Sequence, residues 1–243
     1  MIEISGLHKS FGSKQVLNGV DLTINKGECL AIIGRSGCGK SVMLKHIIGL
    51  LSPDKGTVRV EGELIQELNT TDLYRIRRKF GFLFQGAALF DSMTVGENIA
   101  LPLVENDYNY PEKKLKNIIA EKLSLVGLKD IENLKPSELS GGMKKRVGLA
   151  RALATEPEYI LYDEPTTGLD PIMSDSIDDL IKELNDKLDV TSILITHDMF
   201  SVKNVADKVA MVNEGIIYFT GTPDDLVNSS DKIIQDFIKR TEL

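Results

Sequence analysis

The segment that most constrains this chain is Gly34-Arg-Ser-Gly-Cys-Gly-Lys-Ser41. It fits the pattern G-x-x-x-x-G-K-[ST], and its flanks are the ones that give the pattern meaning. Before it runs Cys29-Leu-Ala-Ile-Ile33, a short continuous apolar stretch that reads as a buried central strand. After it, from Lys40 to about Leu51, the residues read as a helix stopped by Ser52-Pro53. Gly34, Gly37 and Gly39 let the backbone turn tightly and aim its N–H groups at phosphate oxygens. The helix behind them adds its positive end. In this frame Lys40 reaches the β- and γ-phosphates of a nucleotide and Ser41 holds Mg²⁺ through its hydroxyl. Arg35, Ser36 and Cys38 complete the cradle, Cys38 as a small filler residue.

The rest of the composition narrows the setting. The chain has 243 residues, 42% of them hydrophobic, enough for one large α/β domain with a full core. A net charge of −7 argues against sequence-independent nucleic-acid binding, which needs a basic footprint. Two basic clusters, Arg75–Lys79 and Lys144–Arg146, read as solvated helix faces. Cys29 and Cys38 have no metal-ligand spacing and suggest a reduced, cytosolic compartment. The N-terminus lacks a signal-peptide pattern, and no apolar run approaches the roughly 18 residues of a membrane span. A role at a membrane would require a partner to hold the chain there.

Strands and helices alternate along the sequence. Ile2–Ile4, Val20–Ile24, Thr57–Val60, Phe80–Phe84, Tyr159–Tyr162 and Ser192–Thr196 read as strands. From about Thr94 to Leu153 a helical period dominates, with Leu115, Ile118, Ile119, Leu123 and Val126 on one face and a second helix starting near Gly141. Ile177, Leu180, Ile181, Leu184 and Leu188 mark another helix face, and 208–243 reads as two strands and two helices without a chemical motif.

Two further features carry chemistry. The run Tyr159–Tyr162 ends in Asp163-Glu164, which places two carboxylates at the carboxyl edge of the sheet, where ligands bind in open α/β folds. Asp163 would support Mg²⁺, and Glu164 would orient or deprotonate an attacking water. Neighbours on a strand point to opposite faces, so the two should not share one job. The second feature is Leu139-Ser-Gly-Gly-Met143 ahead of a helix. Ser140 is a good N-cap, and Gly141 and Gly142 expose N–H groups, making a second anion cradle. With one phosphate loop in the chain, a composite site explains this. Each chain binds ATP on its own loop and caps the ATP of a second copy, as a head-to-tail pair.

Together these motifs resemble the ATP-binding subunits of ABC transporters, over Ile2 to about Thr222. The motifs occur in that family's order: the loop at 34–41, a Q-loop at Gln85, the signature at 139–143, the acidic pair 163–164, a D-loop at Gly168-Leu-Asp170, and a switch histidine in Thr196-His197-Asp198. The resemblance implies an α/β P-loop NTPase, an ABC-type nucleotide-binding domain with an N-terminal antiparallel β subdomain. Its RecA-like core would span about 1–90 and 156–222, with an inserted helical lobe at about 91–155 and a helical tail at about 223–243. It implies that Phe11 stacks on adenine, that Gln85 senses Mg²⁺ and the γ-phosphate, that His197 contacts the γ-phosphate and positions the water, and that Asp170 lies at the dimer interface. Met143 departs from the usual Gln of the signature.

The stretch Phe84–Leu103, together with Leu-Ser-Gly-Gly-Met, resembles the ATPases of Mla-type (MCE-associated) phospholipid transporters. That implies an integral-membrane permease, an MCE-domain lipid-binding protein, no nucleic acid, and a peripheral place on the cytoplasmic face of the inner membrane. The alternatives are the ATPase of a polar-solute importer, a soluble ABC ATPase, and a nucleotide-binding module without turnover.

Overall fold

A computed structural model describes residues 1–106 and 108–241; Glu242 and Leu243, at the end of the expected tail, lie outside the described residues. The elements run β1 (Ile2–Phe11), β2 (Lys14–Ile24), β3 (Cys29–Ile33), α1 (Lys40–Ile47), β4 (Lys55–Val60), β5 (Glu63–Leu64), α2 (Thr70–Arg77) and β6 (Phe80–Leu83). Three helices follow, α3 (Val95–Glu105), α4 (Glu112–Leu125) and α5 (Gly141–Ala152). The chain then continues through β7 (Tyr159–Asp163), α6 (Pro171–Leu188), β8 (Thr191–Ile195), α7 (Met199–Val205), β9 (Lys208–Asn213), β10 (Ile216–Gly221), α8 (Pro223–Val227) and α9 (Lys232–Thr241).

Two sheets form. An antiparallel one has the order β2-β1-β4-β5. Its first two strands are longer than their alternation suggests, because pairing carries them to the turn at Gly12, where φ is +59°. The second sheet has the order β10-β9-β3-β8-β7-β6 and is parallel except for β10. Every residue of β3 is buried, as expected of a strand covered on both faces, which is why it reads as an unbroken apolar run. Ile32 pairs with Ile195, Asp163 with Ile195, and Leu83 with Tyr162. This register brings the carboxyl ends of β3, β8, β7 and β6 side by side, and the loops carrying Gly34, His197, Glu164 and Gln85 all leave from that edge.

The expected end of α1 at Leu51 is wrong by about a turn. Gly49 adopts φ +66°, the left-handed conformation that closes a helix, and the Leu50 N–H returns to the Lys45 carbonyl at 2.7 Å. Arg77 then caps the last carbonyls, donating to Ile48 O and Gly49 O at 2.9 Å each. Arg77 therefore does not belong to a solvated face. The second basic cluster departs further. Lys145 is only 5% exposed, and Arg146 donates to Val126 O and, at 2.7 Å, to Ser176 Oγ. Arg77, Lys145 and Arg146 depart from the expectation for one reason: helix periodicity does not reveal which carbonyls a neighbouring segment leaves without partners, while Arg75 and Arg78 are exposed as expected.

The three helices between β6 and β7 share an apolar core with α6 and one face of the parallel sheet. Ile99 and Leu103 from α3, Ile119 and Leu123 from α4 and Val147 from α5 meet Ile177, Leu180 and Ile181 of α6. Leu115 and Ile118 are partly buried against it, and Leu188, expected on the buried face of α6, is 37% exposed. α3 opens with a capping box, Thr94 Oγ1 accepting from the Glu97 N–H at 3.2 Å and Glu97 Oε2 from the Thr94 N–H at 2.7 Å. Among the described residues no helix is long and apolar enough to cross a membrane.

Candidate active site

The loop from Gly34 to Ser41 wraps one end of an open cleft of about 790 Å³. Its glycines are set by space as well as by dihedral angle. Gly34 has φ +145°, and a Cβ there would meet the Val212 carbonyl and sit 2.8 Å from Cys38 Sγ. Gly39 has φ +109°, with Leu17 Cδ2 2.7 Å from where its Cβ would be. Cys38 does not line the cleft. Its thiol turns inward beside Gly34, and burial raises its pKa. Arg35, Ser36, Gly37, Lys40 and Ser41 do line it. The buried Lys40 ammonium arches back over the loop, donating to Gly34 O at 2.7 Å and Arg35 O at 3.2 Å. A polyphosphate in the cradle would offer this cation stronger, charged acceptors. Phe11 projects into the same cleft, 47% exposed, beside Lys14 and Val16. An exposed aromatic face at the mouth of a phosphate cradle suits a flat base.

The facing wall comes from β7 and β8. Asp163 is the last residue of its strand, and burial together with the neighbouring Glu164 raises its pKa against the pull of Lys40, Lys45 and Lys145. Contrary to strand alternation, Asp163 and Glu164 do not face opposite ways. Glu164 has left the strand with φ +51°, so both carboxylates line the one cleft. A non-glycine residue in the left-handed region stores strain and persists where its surroundings hold it. Here the Glu164 N–H donates to Ile195 O at 2.9 Å. Its carboxylate is held as well: Oε2 lies 2.7 Å from His197 Nδ1 and accepts from Thr167 Oγ1 at 3.0 Å. His197 is exposed on the cleft wall, and Asp198 after it caps α7, accepting from the Phe200 N–H at 2.8 Å.

Gln85 completes this constellation from the end of β6. Ser41, Asp163 and Gln85 thus share one cleft, while no cluster of three or more His, Cys, Asp or Glu able to hold a metal alone occurs among the described residues. That donor set fits Mg²⁺, which binds through one or two protein oxygens plus phosphates and waters.

The remaining expected residues lie elsewhere. Ser140 caps α5, its Oγ accepting from the Met143 N–H at 3.3 Å, and Gly142 packs against Met173 so closely that a Cβ would collide with the Met173 methyl. Asp170 caps α6, accepting from the Met173 N–H at 3.0 Å. Ser140, Gly141, Gly142 and Asp170 do not line this chain's own cleft. Met143 packs against the core of the three inserted helices, the surroundings an apolar side chain needs.

Several residues of the site escape sequence reasoning. Lys14 and Val16 enter through the first hairpin, Thr167 through its bond to Glu164, and Phe237, Arg240 and Thr241 of α9 close one side of the cleft. The last three fall in the tail that seemed to carry no chemistry. A second groove, about 500 Å³, opens beside the Q-loop and is lined by Tyr74, Phe82, Phe84, Phe90, Pro102 and Arg151, among others. Phe84 and Phe90 are half exposed there, and Phe82 stacks on Phe84 at 4.1 Å between ring centroids. Buried Asn98 pins this rim, accepting from the Phe90 N–H at 2.8 Å and donating to Thr94 O at 2.9 Å.

Residues 17–167 match the family model described as ABC transporter. The chain is 42% identical over 237 residues to the "Probable ribonucleotide transport ATP-binding protein mkl" of Mycobacterium tuberculosis, covering 98% of this chain and 66% of that protein. It is 39% identical over 239 residues to the "Intermembrane phospholipid transport system ATP-binding protein MlaF" of Haemophilus influenzae, covering 98% of this chain and 90% of that one. The solved dimeric cassette MJ0796, in a post-hydrolysis state with ADP and Pi, superposes with a TM-score of 0.83 at 33% identity, covering 92% of this chain and 99% of that one. This chain therefore spans about two thirds of its mycobacterial relative and nearly all of the solved cassette. With a phosphate loop, a two-carboxylate strand end and a histidine converging on one cleft, and with family and fold both matching, the chain belongs to the ABC transporter family.

Proposed function

We propose that this chain is the ATP-binding and ATP-hydrolysing subunit of an ABC transporter. It would work as a head-to-tail pair beneath an integral-membrane permease, on the cytoplasmic face of the inner membrane. The observation that carries this reading is the convergence of Lys40, Ser41, Gln85, Asp163, Glu164 and His197 on one cleft. The pairing rests on the position of Ser140, Gly141 and Gly142 outside their own cleft, and on the dimeric form of the similar cassette. Residues 91–155 serve as the helical lobe, set between the core segments 1–90 and 156–222.

Hydrolysis then follows from geometry. Lys40 exchanges its bonds to Gly34 O and Arg35 O for the phosphates, while the loop N–H groups and the head of α1 bind the remaining charge. Ser41, Gln85 and Asp163 would hold Mg²⁺, which would supply neutralisation of phosphate oxygens. With His197 and Thr167 fixing one oxygen of Glu164, the other is left to accept a proton from water. The chemistry is mostly positioning and charge stabilisation. The aromatic groove beside Gln85 is the surface offered to the permease, which puts the transporter contact one strand end from the catalytic centre.

The cargo we favour is phospholipid, moved between inner and outer membranes with an MCE-domain lipid-binding protein as a further partner. The support is the end-to-end likeness to a protein named for intermembrane phospholipid transport. The test is a pull-down of this chain from detergent-solubilised native membranes with mass spectrometry of proteins and lipids. A permease, an MCE-domain protein and bound phospholipid are expected. A different permease with a soluble binding protein would replace the lipid reading with polar-solute import and leave the ATPase reading standing.

A further inference from the structure

The buried ammonium of Lys145 has no part in the scheme above. It sits on α5, five residues after the signature serine, and lines neither the cleft nor the groove. Burial lowers its pKa, and the Asp163 and Glu164 carboxylates oppose that shift. An ammonium so far from water needs acceptors. Lys145 finds two backbone carbonyls, those of Gln85 and, at 3.4 Å, of Glu164. Neither carbonyl belongs to a regular sheet ladder. Gln85 follows the end of β6, and Glu164 is the left-handed residue after β7. The same helix repeats the arrangement six residues on. Arg151 donates at 2.8 Å each to the carbonyls of Ala87 and Ala88, which adopt φ +60° and +47°. Two backbone segments with left-handed residues, Glu164 in the cleft and Ala87–Ala88 beside the groove, are thus held by cations from the helix that the signature begins.

We propose that Lys145 is a positioning residue for hydrolysis, fixing the Q-loop glutamine and the glutamate of its own chain to the signature helix so that the three move as one body. A shift of α5, imposed at its capped N-terminus by a second copy or at the groove by a permease, reaches Glu164 directly through this ammonium. The inference rests on the roles given to Glu164 and Gln85 above.

The test is steady-state ATP hydrolysis by the purified chain carrying Lys145→Met, with MgATP affinity and thermal unfolding measured on the same samples. Methionine keeps the packing and removes the charge. We expect kcat to fall about ten-fold, since small misplacements of reacting groups are costly, with affinity within about two-fold because the phosphate loop is untouched. Lys145→Arg, which still donates, should recover most of the rate. Lys145→Gln, shorter and neutral, gives the same reading if the methionine variant does not fold. A kcat within about two-fold of the parent overturns the proposal. So does a joint fall of kcat, affinity and unfolding temperature without recovery in the arginine variant, since that marks a structural role. Glu164→Gln, run in parallel, separates the two readings: if it hydrolyses ATP normally the assignment of Glu164 is wrong, and if it is inactive while Lys145→Met is normal only the present inference falls.

Discussion

The two walls of the cleft are built in different ways. The phosphate wall is one contiguous segment, Gly34 to Ser41, whose shape follows from glycine dihedral angles and a helix start. The opposite wall is assembled from three segments. Gln85, Glu164 and His197 come from the ends of β6, β7 and β8, with Thr167 and, from α5 outside the cleft, Lys145 bonded behind them. A contiguous cradle can bind phosphate whenever its local geometry forms. An assembled wall acts only when its parts are in register, so it is the part that a partner can switch. Binding should belong to the first wall and turnover to the second.

The largest effect expected from this division is at the phosphate wall. Lys40→Ala removes the buried ammonium proposed to reach the phosphates, and should cost at least about 100-fold in turnover together with a large loss of nucleotide affinity. Near-normal hydrolysis in that variant would break the comparison at its root. Glu164→Gln should also lower turnover by about 100-fold or more, yet leave affinity nearly intact. With hydrolysis blocked, the ATP-bound pair should accumulate, and sizing chromatography with ATP would show it. A variant that stays monomeric would count against the composite site.

The smallest effect sharpens the comparison through pH. Asp178 of α6 is fully buried and accepts from Ser201 Oγ of α7 at 2.7 Å, which ties the helix after Asp170 to the helix after His197. Burial raises its pKa to about 7, with Asp198, Asp175 and Asp179 adding in the same direction. The folded chain therefore holds this proton more tightly than the unfolded chain does. Between about pH 4 and 7 the folded state binds more protons, so the stability from this group is full at the acid end and declines as pH rises. The loss should amount to roughly 2–4 kcal/mol by pH 8. Asp178→Asn keeps the bond to Ser201 and removes the titration. Denaturant unfolding at pH 5 and pH 8 should show a smaller difference for the variant, and an identical difference would remove Asp178 from the account.

Much of the molecule was legible before folding was considered. The buried strand β3, the glycine cradle, the carboxylates at the end of β7 and the amphipathic faces of α4 and α6 all follow from patterns of period two or 3.6 and from local turn chemistry. Most of the misreadings share a cause. The facing of Glu164 and the internal partners of Lys145 and Arg146 depend on residues distant in sequence, whereas α1 ends at a local glycine turn. The tail forms the two strands and two helices its pattern predicts, and it shows no chemical motif because Phe237, Arg240 and Thr241 matter only through the cleft they reach.

The glycine cradle, the strand-end carboxylates and the residue types proposed for the reaction are legible in the chain itself, because glycine freedom, helix ends and strand periodicity are local properties. The tertiary structure alone decided that Glu164 turns back into the cleft, that a lysine of the signature helix holds it there, and that the signature stands outside its own site. The physical reason is that buried carbonyls and charges must find partners, and only the packed chain fixes which partners are within reach.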